Sequence, residues 1–313
     1  MDPVSSASEP MAFLNGQLIS FRSAQLPIYD LGLMQGATLT ERLRTIRHQP
    51  YLVEEHLDRL EQGLDMAGWE DVPSREEFVQ MIHELARMNS QRIASEADLA
   101  LVVFVTAGQS VNDSNGLIGT SRCTTCLYTA PLPLPLWGRT WKQGQSLIVP
   151  EIRSLPGTTL DSRLKHRSRL HWAMADRQAR QSDPLASALL LNEHGEVTET
   201  STGNLFLMKE GVLQTTPAGM TLPGIAQAQV LRIAAEMGIP VHRVAITLER
   251  VFEADEVFLT SSTYCLLPVS RVNGERIGRK LPGPITQVLA NVWSAEIGLN
   301  FCEQACAASD ASQ

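Results

Sequence analysis

The stretch Glu199-Thr-Ser-Thr-Gly-Asn-Leu-Phe206 decides the fold of the second half of the chain. It predicts a strand that ends at Glu199, a tight polar turn, and a new strand over residues 204–208. That strand is predicted to pair across Lys209-Glu-Gly211 with residues 212–215 as a hairpin. Glu199 has two interpretations at this point, an acid that caps the turn or a carboxylate that faces a ligand.

Two polar stretches further along can bind an anion. Leu222-Pro-Gly-Ile-Ala226 opens a helix predicted over residues 225–237, whose first N–H groups and positive dipole end favour negative charge. Thr260-Ser-Ser-Thr263 ends a predicted strand and presents hydroxyls, Ser262 and Thr263 among them. Each stretch is also typical of an ordinary helix start or a polar strand end, so neither defines a site alone.

One lysine differs from the others in its surroundings. Lys165 lies in the stretch 164–175, where apolar residues recur at i, i+3, i+4 and i+7, which predicts a helix half sunk in a core. Nearby positive charge and partial desolvation would lower the pKa of its ammonium and make the amine a nucleophile. The alternative is a basic helix face whose side chains extend to water. The charged neighbours are Arg163, Arg167 and Arg169, and the other lysines, all in predicted loops, are Lys142, Lys209 and Lys280.

Bulk composition is that of a globular protein of two domains. The chain has 313 residues, of which 43% are hydrophobic and 19% charged. A net charge of −8 argues against a nucleic-acid partner, and no apolar run approaches membrane-spanning length. Five cysteines form no disulfide or zinc-binding pattern, so we expect buried or idle thiols and no metal site, although a zinc or redox role stays open. We therefore expect a cytoplasmic protein.

The first half of the chain predicts a small α/β domain. A hairpin turns at Asn15-Gly16, a second hairpin covers residues 39–53, and helices follow over 54–67 and 75–88. A buried strand is predicted for 99–106. Prolines at 131, 133 and 135 predict an irregular segment. We therefore divide the chain into a disordered tail at 1–10, a small domain at 11–128, a linker at 129–140 and a large domain at 141–313.

Taken together, these stretches resemble the class IV, or fold type IV, pyridoxal-phosphate enzymes. That family includes branched-chain and D-amino acid aminotransferases, R-selective amine transaminases and aminodeoxychorismate lyases. The resemblance covers residues 13–300 and is most specific at 199–206, 213–215 and 222–225. It extends to Asp30-Leu-Gly32, Glu41 and Glu55-His-Leu-Asp-Arg59, and Leu164-Lys-His166 is similar to the lysine segment of the lyases.

The resemblance implies a fold, a cofactor and residue roles. The fold is a small α/β domain and a larger barrel-like α/β domain, with pyridoxal 5'-phosphate between them and a homodimer as the assembly. Lys165 would form the Schiff base and move the proton, Glu199 would face the pyridine nitrogen, and Arg59 would bind the phosphate. The phosphate cradle would be completed by Ile225, Ala226, Ser262 and Thr263.

Four positions depart from the family pattern. Ala107 stands where an arginine often holds a substrate carboxylate, and Thr40 replaces an aromatic residue that shapes the substrate pocket beside Thr263. Gln227 replaces a basic residue and Leu31 an arginine. The loss at Ala107 predicts a substrate without that carboxylate, or one held by another arginine; the candidates are Arg44, Arg153 and Arg163.

The sequence favours a transaminase that moves an amino group between a small amino acid or amine and a 2-keto acid. The alternative is a carbon–nitrogen lyase that releases pyruvate, which Leu164-Lys-His166 favours and Ala107 opposes. A third hypothesis is a binding or regulatory protein without catalysis, which the four departures favour. Intact Lys165, Glu199 and Arg59 oppose it.

Overall fold

The computed structural model describes residues 9–112, 118–120 and 122–312. The chain forms two compact units. The first extends to Leu132 and also includes Lys165–Ser168; the second comprises Pro133–Leu164 and the chain from Arg169 onward. The elements of the first unit are β1 (Met11–Leu14), β2 (Gln17–Ser20), a 3-10 turn (Phe21–Ser23), α1 (Leu31–Met34), β3 (Thr38–Ile46), β4 (Gln49–Pro50), α2 (Val53–Ala67), α3 (Arg75–Ser90), β5 (Leu99–Thr106), β6 (Ser110–Asn112), β7 (Ile118–Thr120) and β8 (Thr124–Pro131).

The first unit is built on a six-stranded antiparallel sheet in the order β2-β1-β8-β5-β3-β4. Helices α2 and α3 pack against it because each carries an apolar stripe at helical spacing, and Leu57, Leu60, Ile82 and Leu85 are buried there. Helix α3 begins with a capping box in which Ser74 and Glu77 bond each other's backbone N–H groups. The predicted helices and the strand over 99–106 are confirmed.

The second unit holds the remaining elements. They are α4 (Leu134–Gln143), β9 (Gln145–Ile148), α5 (Leu170–Ser182), β10 (Ser187–Leu191), β11 (Val197–Thr200), β12 (Asn204–Lys209), β13 (Val212–Thr215), α6 (Ile225–Glu236), β14 (Val241–Arg243), α7 (Leu248–Phe252), β15 (Glu256–Ser261), β16 (Cys265–Val272), β17 (Glu275–Arg276), α8 (Pro284–Ile297) and α9 (Phe301–Asp310).

A closed ring of strands forms the centre of the second unit. The order β11-β10-β9-β16-β15-β12 returns to β11 through the pair Glu199–Asn204, while β13 and β14 extend outward from β12. Closure removes the free edges of these strands. The expected barrel-like domain is therefore present, and Glu199 lies at the point where the barrel closes.

The prediction of an irregular segment over 129–138 was wrong. Strand β8 continues to Pro131, and helix α4 begins at Leu134 with Pro133 at its N-cap and Pro135 in its first turn. Proline is well tolerated there because the first N–H groups of a helix have no partner within the helix. The boundary between the two units falls between Leu132 and Pro133, while the four-part domain division stays a prediction.

The prediction of a helix around Lys165 was also wrong. Helix α5 begins only at Leu170, and the segment 165–168 lies extended along β3. The N–H of Thr40 donates to the Lys165 carbonyl at 2.9 Å, and the N–H of Arg167 donates to the Thr38 carbonyl at 3.0 Å. Backbone bonds to a neighbouring strand therefore override the local helical spacing.

Three further expectations concern the chain as a whole. No helix in the described ranges is both long and apolar enough to cross a bilayer. All five cysteines are free thiols. Most of the predicted tail, residues 1–8, lies outside the described residues.

Candidate active site

A buried acid in β3 organises the charged groups of the first unit. Glu41 is 1% exposed, and its two carboxylate oxygens accept bonds of 2.7 Å from Nε and Nη2 of Arg59. His56 lies one helical turn before Arg59 on α2, and its Nδ1 is 2.6 Å from Oε2 of the same carboxylate. This network fixes the orientation of the Arg59 guanidinium beside the apolar stripe of α2.

The three groups of this network shift one another's pKa. Burial raises the pKa of Glu41, but the charge and hydrogen bonds of Arg59, with help from His56, outweigh burial and hold that pKa far below its usual range. Burial lowers the pKa of His56, as do the charges of Arg59 and Lys165, against the opposing effect of Glu41. Because a carboxylate only accepts hydrogen bonds, Nδ1 of His56 donates its proton to Glu41, and the lowered pKa of His56 favours its neutral form.

Lys165 lies in the same unit, next to the edge of β3 that does not pair with β5. Its carbonyl accepts from the N–H of Thr40, and its charge is close enough to depress the pKa of His56. Its side chain is half-buried. Lys165 and Arg59, distant in sequence, are therefore held near one acid-centred network.

In the second unit, Glu199 lies at the closure of the barrel. Its Oε2 accepts from Nδ2 of Asn204 and its Oε1 from the N–H of Leu222, each at 3.3 Å. Asn204 also donates to the Leu222 carbonyl at 3.0 Å. The Glu199 carboxylate is therefore held by Asn204 and by the segment before α6. This arrangement favours a carboxylate that accepts a hydrogen bond from a ligand over a turn-capping acid.

Helix α6 begins without a side-chain cap. Its N-cap is Gly224, no acid lies in its first turn, and Ile225 and Ala226 are buried. Buried N–H groups at an uncapped helix start suit an anion. Gly224 permits a close approach, since a Cβ there would be 2.0 Å from Oδ1 of Asn204. Gln227 is buried and donates to Oγ1 of Thr215, which gives this departure from the family pattern a structural role.

Hydroxyl groups collect where β15 turns into β16. Ser262 is half-buried, Thr263 is buried, and Oγ1 of Thr263 lies 3.4 Å from Oγ of Ser261. The buried hydroxyl of Thr260 has no hydrogen-bond partner among the described residues, and the buried hydroxyl of Tyr264 lies near Thr202. A Cβ at Gly203 would lie 2.3 Å from the Tyr264 hydroxyl. The second unit thus holds a group of hydroxyls that suits a polar ligand.

The three arginines that the sequence suggests as alternative ligands for a substrate carboxylate each bond another group of the protein. Arg44 is 1% exposed, donates to the Thr45 carbonyl and pairs with Asp98 at 3.6 Å. Arg163 forms a close pair with Asp161 at 2.7 Å. Arg153 donates to the Pro150 carbonyl. A buried, paired arginine such as Arg44 is not available to a substrate.

Two other departures occur beside Asp30, which is fully buried. Its carboxylate caps α1 at Gly32 and accepts from the hydroxyls of Thr106 and Thr124. Leu31 is buried in this helix, and Ala107 bonds the Ala37 carbonyl through its N–H. Neither side chain carries a donor that could hold a carboxylate.

Sequence reasoning gave no role to His56 or Asn204. His56 and Arg59 are three residues apart on α2 and therefore share a face of that helix. This spacing indicates a role for His56 only once the buried acid that both residues bond is known. Asn204 lies directly opposite Glu199 in the strand pairing, a register that the turn length alone does not reveal.

The fold and these two groups of residues define the class of protein. A family model for class IV aminotransferases matches residues 38–272, three quarters of the chain. The chain therefore belongs to the class IV aminotransferase family. It is an enzyme, and the predicted transaminase activity is confirmed.

Named relatives agree with this membership. A protein of Methanocaldococcus jannaschii with the provisional name branched-chain-amino-acid aminotransferase is 30% identical over 278 residues, which is 88% of this chain and 93% of the relative. The D-alanine aminotransferase of Bacillus licheniformis is 27% identical over 274 residues, 87% of this chain and 92% of the relative. Both names are those of aminotransferases, so the lyase alternative gains no support from them.

Solved structures share the fold. A T.th. branched-chain amino acid aminotransferase, crystallised with pyridoxamine 5'-phosphate, has a TM-score of 0.81 at 24% identity and covers 92% of this chain and 94% of its own. The Escherichia coli branched-chain amino acid aminotransferase has a TM-score of 0.83 at 22% identity, with 93% and 94% covered. The predicted fold type IV architecture is confirmed.

Proposed function

We propose that the chain uses pyridoxal 5'-phosphate to move an amino group between a small amino acid or amine and a 2-keto acid. The observation that carries the proposal is the attachment of Lys165 to β3, beside the network of Glu41, His56 and Arg59. When bound, the cofactor supplies a ring that draws electrons from the substrate carbon.

Each unit, taken by itself, carries groups of the kind that this cofactor requires. Lys165 is the one lysine in the first unit, and it would bind the aldehyde carbon and carry the proton. In the first unit the oriented guanidinium of Arg59 suits a phosphate, and in the second unit the uncapped start of α6 at Ile225 and Ala226 also suits one. Glu199, held by Asn204, suits a protonated ring nitrogen.

The remaining roles follow from the same chemistry. Ser262 and Thr263 would donate hydroxyl bonds to the phosphate, and Thr40 and Ala107 would border the substrate. The homodimer that the resemblance implies is part of the proposal, and light scattering during gel filtration should give twice the mass of the chain. A cytoplasmic location is also part of it.

The test is a half-reaction without a keto acid. The purified, cofactor-loaded protein is mixed with one amino donor at a time, and the long-wavelength absorbance of the lysine-bound cofactor is recorded. Lasting loss of that absorbance supports transamination. Unchanged absorbance with pyruvate released from aminodeoxychorismate would instead identify a lyase.

A pair of variants makes the test specific to the proposed lysine. Lys165→Ala should abolish both the long-wavelength absorbance and the half-reaction, while Lys280→Ala, at an exposed lysine, should retain both. A colourless wild-type protein that does not respond to added pyridoxal 5'-phosphate would refute the proposal.

A further inference from the structure

Strand β3 presents different chemistry on its two faces. Successive side chains of a strand alternate, so Thr40 and Arg42 lie on the face opposite Glu41. Lys165 is opposite Thr40 in the antiparallel pairing at the edge of β3, and its charge also reaches His56 on the other side of the strand. Thr40 and Arg42 therefore belong to one surface of the first unit, with Lys165 at its edge.

One guanidinium group contacts Thr40, and a second belongs to Arg42, two residues further along β3. Nη2 of Arg167 donates to Oγ1 of Thr40 at 3.2 Å. Arg42 is exposed, yet partial desolvation lowers its pKa, and the charge of Arg167 lowers it further while Tyr128 opposes this. The two positive groups are therefore near each other as well as near Thr40.

Among the residues that the structure describes, no acid neutralises this arginine pair. Among the described residues, no carboxylate forms an ion pair with Arg42 or Arg167, whereas Arg44, Arg59 and Arg75 in the same unit each pair with an acid. Two like charges held together repel each other, and a bound anion relieves that repulsion.

Aromatic rings border the pair. Phe104 is directly opposite Thr40 on β5, and its ring centroid lies 6.4 Å from that of Tyr128. Both rings are half-buried, so each keeps surface for a ligand. The surface thus combines a place for an anion with a place for apolar atoms.

Strand spacing puts both arginines within reach of one small molecule at Lys165. Arg42 is two residues from Thr40 on β3, and Arg167 is two residues from Lys165 in the opposite direction, about 7 Å along the strand in each case. The contact between Arg167 and Thr40 demonstrates that such a side chain spans this distance.

We propose that Arg42 and Arg167 bind the carboxylate of an amino-acid substrate, in place of the arginine that Ala107 lacks. The inference rests on the proposed function and narrows its substrate class to amino acids, excluding amines without a carboxylate. Phe104 and Tyr128 contact the apolar part of the substrate.

The test measures binding of a carboxylate and of its neutral counterpart. Titration calorimetry on the cofactor-loaded protein uses 4-methylvaleric acid and its primary amide, which have the same carbon skeleton. Wild-type protein should bind the acid at least 10-fold more tightly than the amide. Because charge-assisted bonds are lost, Arg42→Gln and Arg167→Gln should each weaken acid binding by about 10- to 100-fold and leave amide binding within about 2-fold.

Two further variants keep the result interpretable. Arg87→Gln removes an exposed arginine on α3 of the same unit and should change neither affinity. Arg42→Lys keeps the charge but loses the forked donors, so it should recover part of the acid affinity. If Arg42→Gln does not fold, the acid affinity of Arg42→Lys is compared with that of Arg87→Gln. Weaker acid binding by Arg42→Lys supports the proposal, and equal acid binding contradicts it.

Equal binding of acid and amide by the wild-type protein would overturn the proposal, and so would equal losses for both ligands in the glutamine variants. Failure of the proposed function is a separate result, since it appears as a protein that takes up no cofactor. Acid binding can then still be measured on the chain alone. The glutamine variants should still take up the cofactor, because neither arginine belongs to the Glu41 network.

Discussion

Replacing Glu41 by glutamine tests whether the buried network holds the first unit together. The substitution keeps the shape of the side chain and removes its charge. Arg59, 9% exposed, would then keep its positive charge without its acid, and the 2.6 Å contact of His56 would face a neutral amide. Removing one partner of a buried pair leaves a charge whose desolvation is no longer compensated.

The size of the effect follows from burial and geometry. Glu41 is 1% exposed and accepts two bonds of 2.7 Å from one guanidinium. Breaking a buried pair by removing one partner costs about 3–5 kcal/mol. Since a domain is stable by about 5–15 kcal/mol in total, this one change would remove a large part of the unfolding free energy of the unit.

Denaturant unfolding followed by circular dichroism measures that loss. The matched control is Arg75→Gln, which breaks three ion pairs, to Glu54, Asp58 and Glu61. The number of broken ion pairs alone would predict a larger loss of unfolding free energy for the control. Their exposure to solvent predicts a much smaller loss, because the three acids are at the surface, where such pairs contribute little. A loss for Arg75→Gln equal to that for Glu41→Gln would refute the reasoning.

Three further predictions concern stability and cofactor binding. A Cβ at residue 224 would meet the Asn204 side chain at 2.0 Å, so Gly224→Ala should displace that side chain and weaken pyridoxal 5'-phosphate binding at least 10-fold in a fluorescence titration. Ser74→Ala removes the capping box of α3 and should lower the unfolding free energy by about 1 kcal/mol in urea. The pKa of His56 is lowered in the native protein, whereas His56 of the unfolded chain takes up a proton near its ordinary value of 6.5. Stability should therefore fall as the pH drops through that value. Thermal unfolding from pH 8 to 5 should show this slope, and His56→Gln should flatten it.

Periodicity predicted elements well where one face of an element is buried. Helix α2 was predictable because its leucines recur at helical spacing on one side, and the hairpin at Asn15-Gly16 because both turn residues adopt positive φ. The Lys165 segment failed for the opposite reason. Its helical spacing was satisfied by chance, while its actual partner, Thr40, is more than a hundred residues away in sequence. Local pattern carries no information about such a partner.

The same limit applies to the substrate arginines. Arg44, Arg153 and Arg163 were reasonable candidates by residue type, yet only the structure reveals that Arg44 is buried against Asp98 and that Arg163 pairs with Asp161. Arg42, two residues before Arg44 on the same face of β3, is the exposed one. Strand periodicity predicts the shared face, but it does not predict at which position along the strand the face becomes exposed.

Strand β3 also separates the proposed substrate surface of this chain from the buried Glu41 network. Glu41 faces α2 and orients Arg59, whereas Thr40 and Arg42 face the opposite side, with Lys165 paired beside Thr40. Because the side-chain period of a strand is two, substitutions at Thr40 or Arg42 should alter the proposed substrate surface and leave the Glu41 network in place. A one-residue deletion before Thr40 would instead exchange the two faces, placing Glu41 among the arginines and Arg42 against α2. Substrate specificity can therefore diverge on one face of β3 while the register of the strand stays fixed by the buried acid on the other.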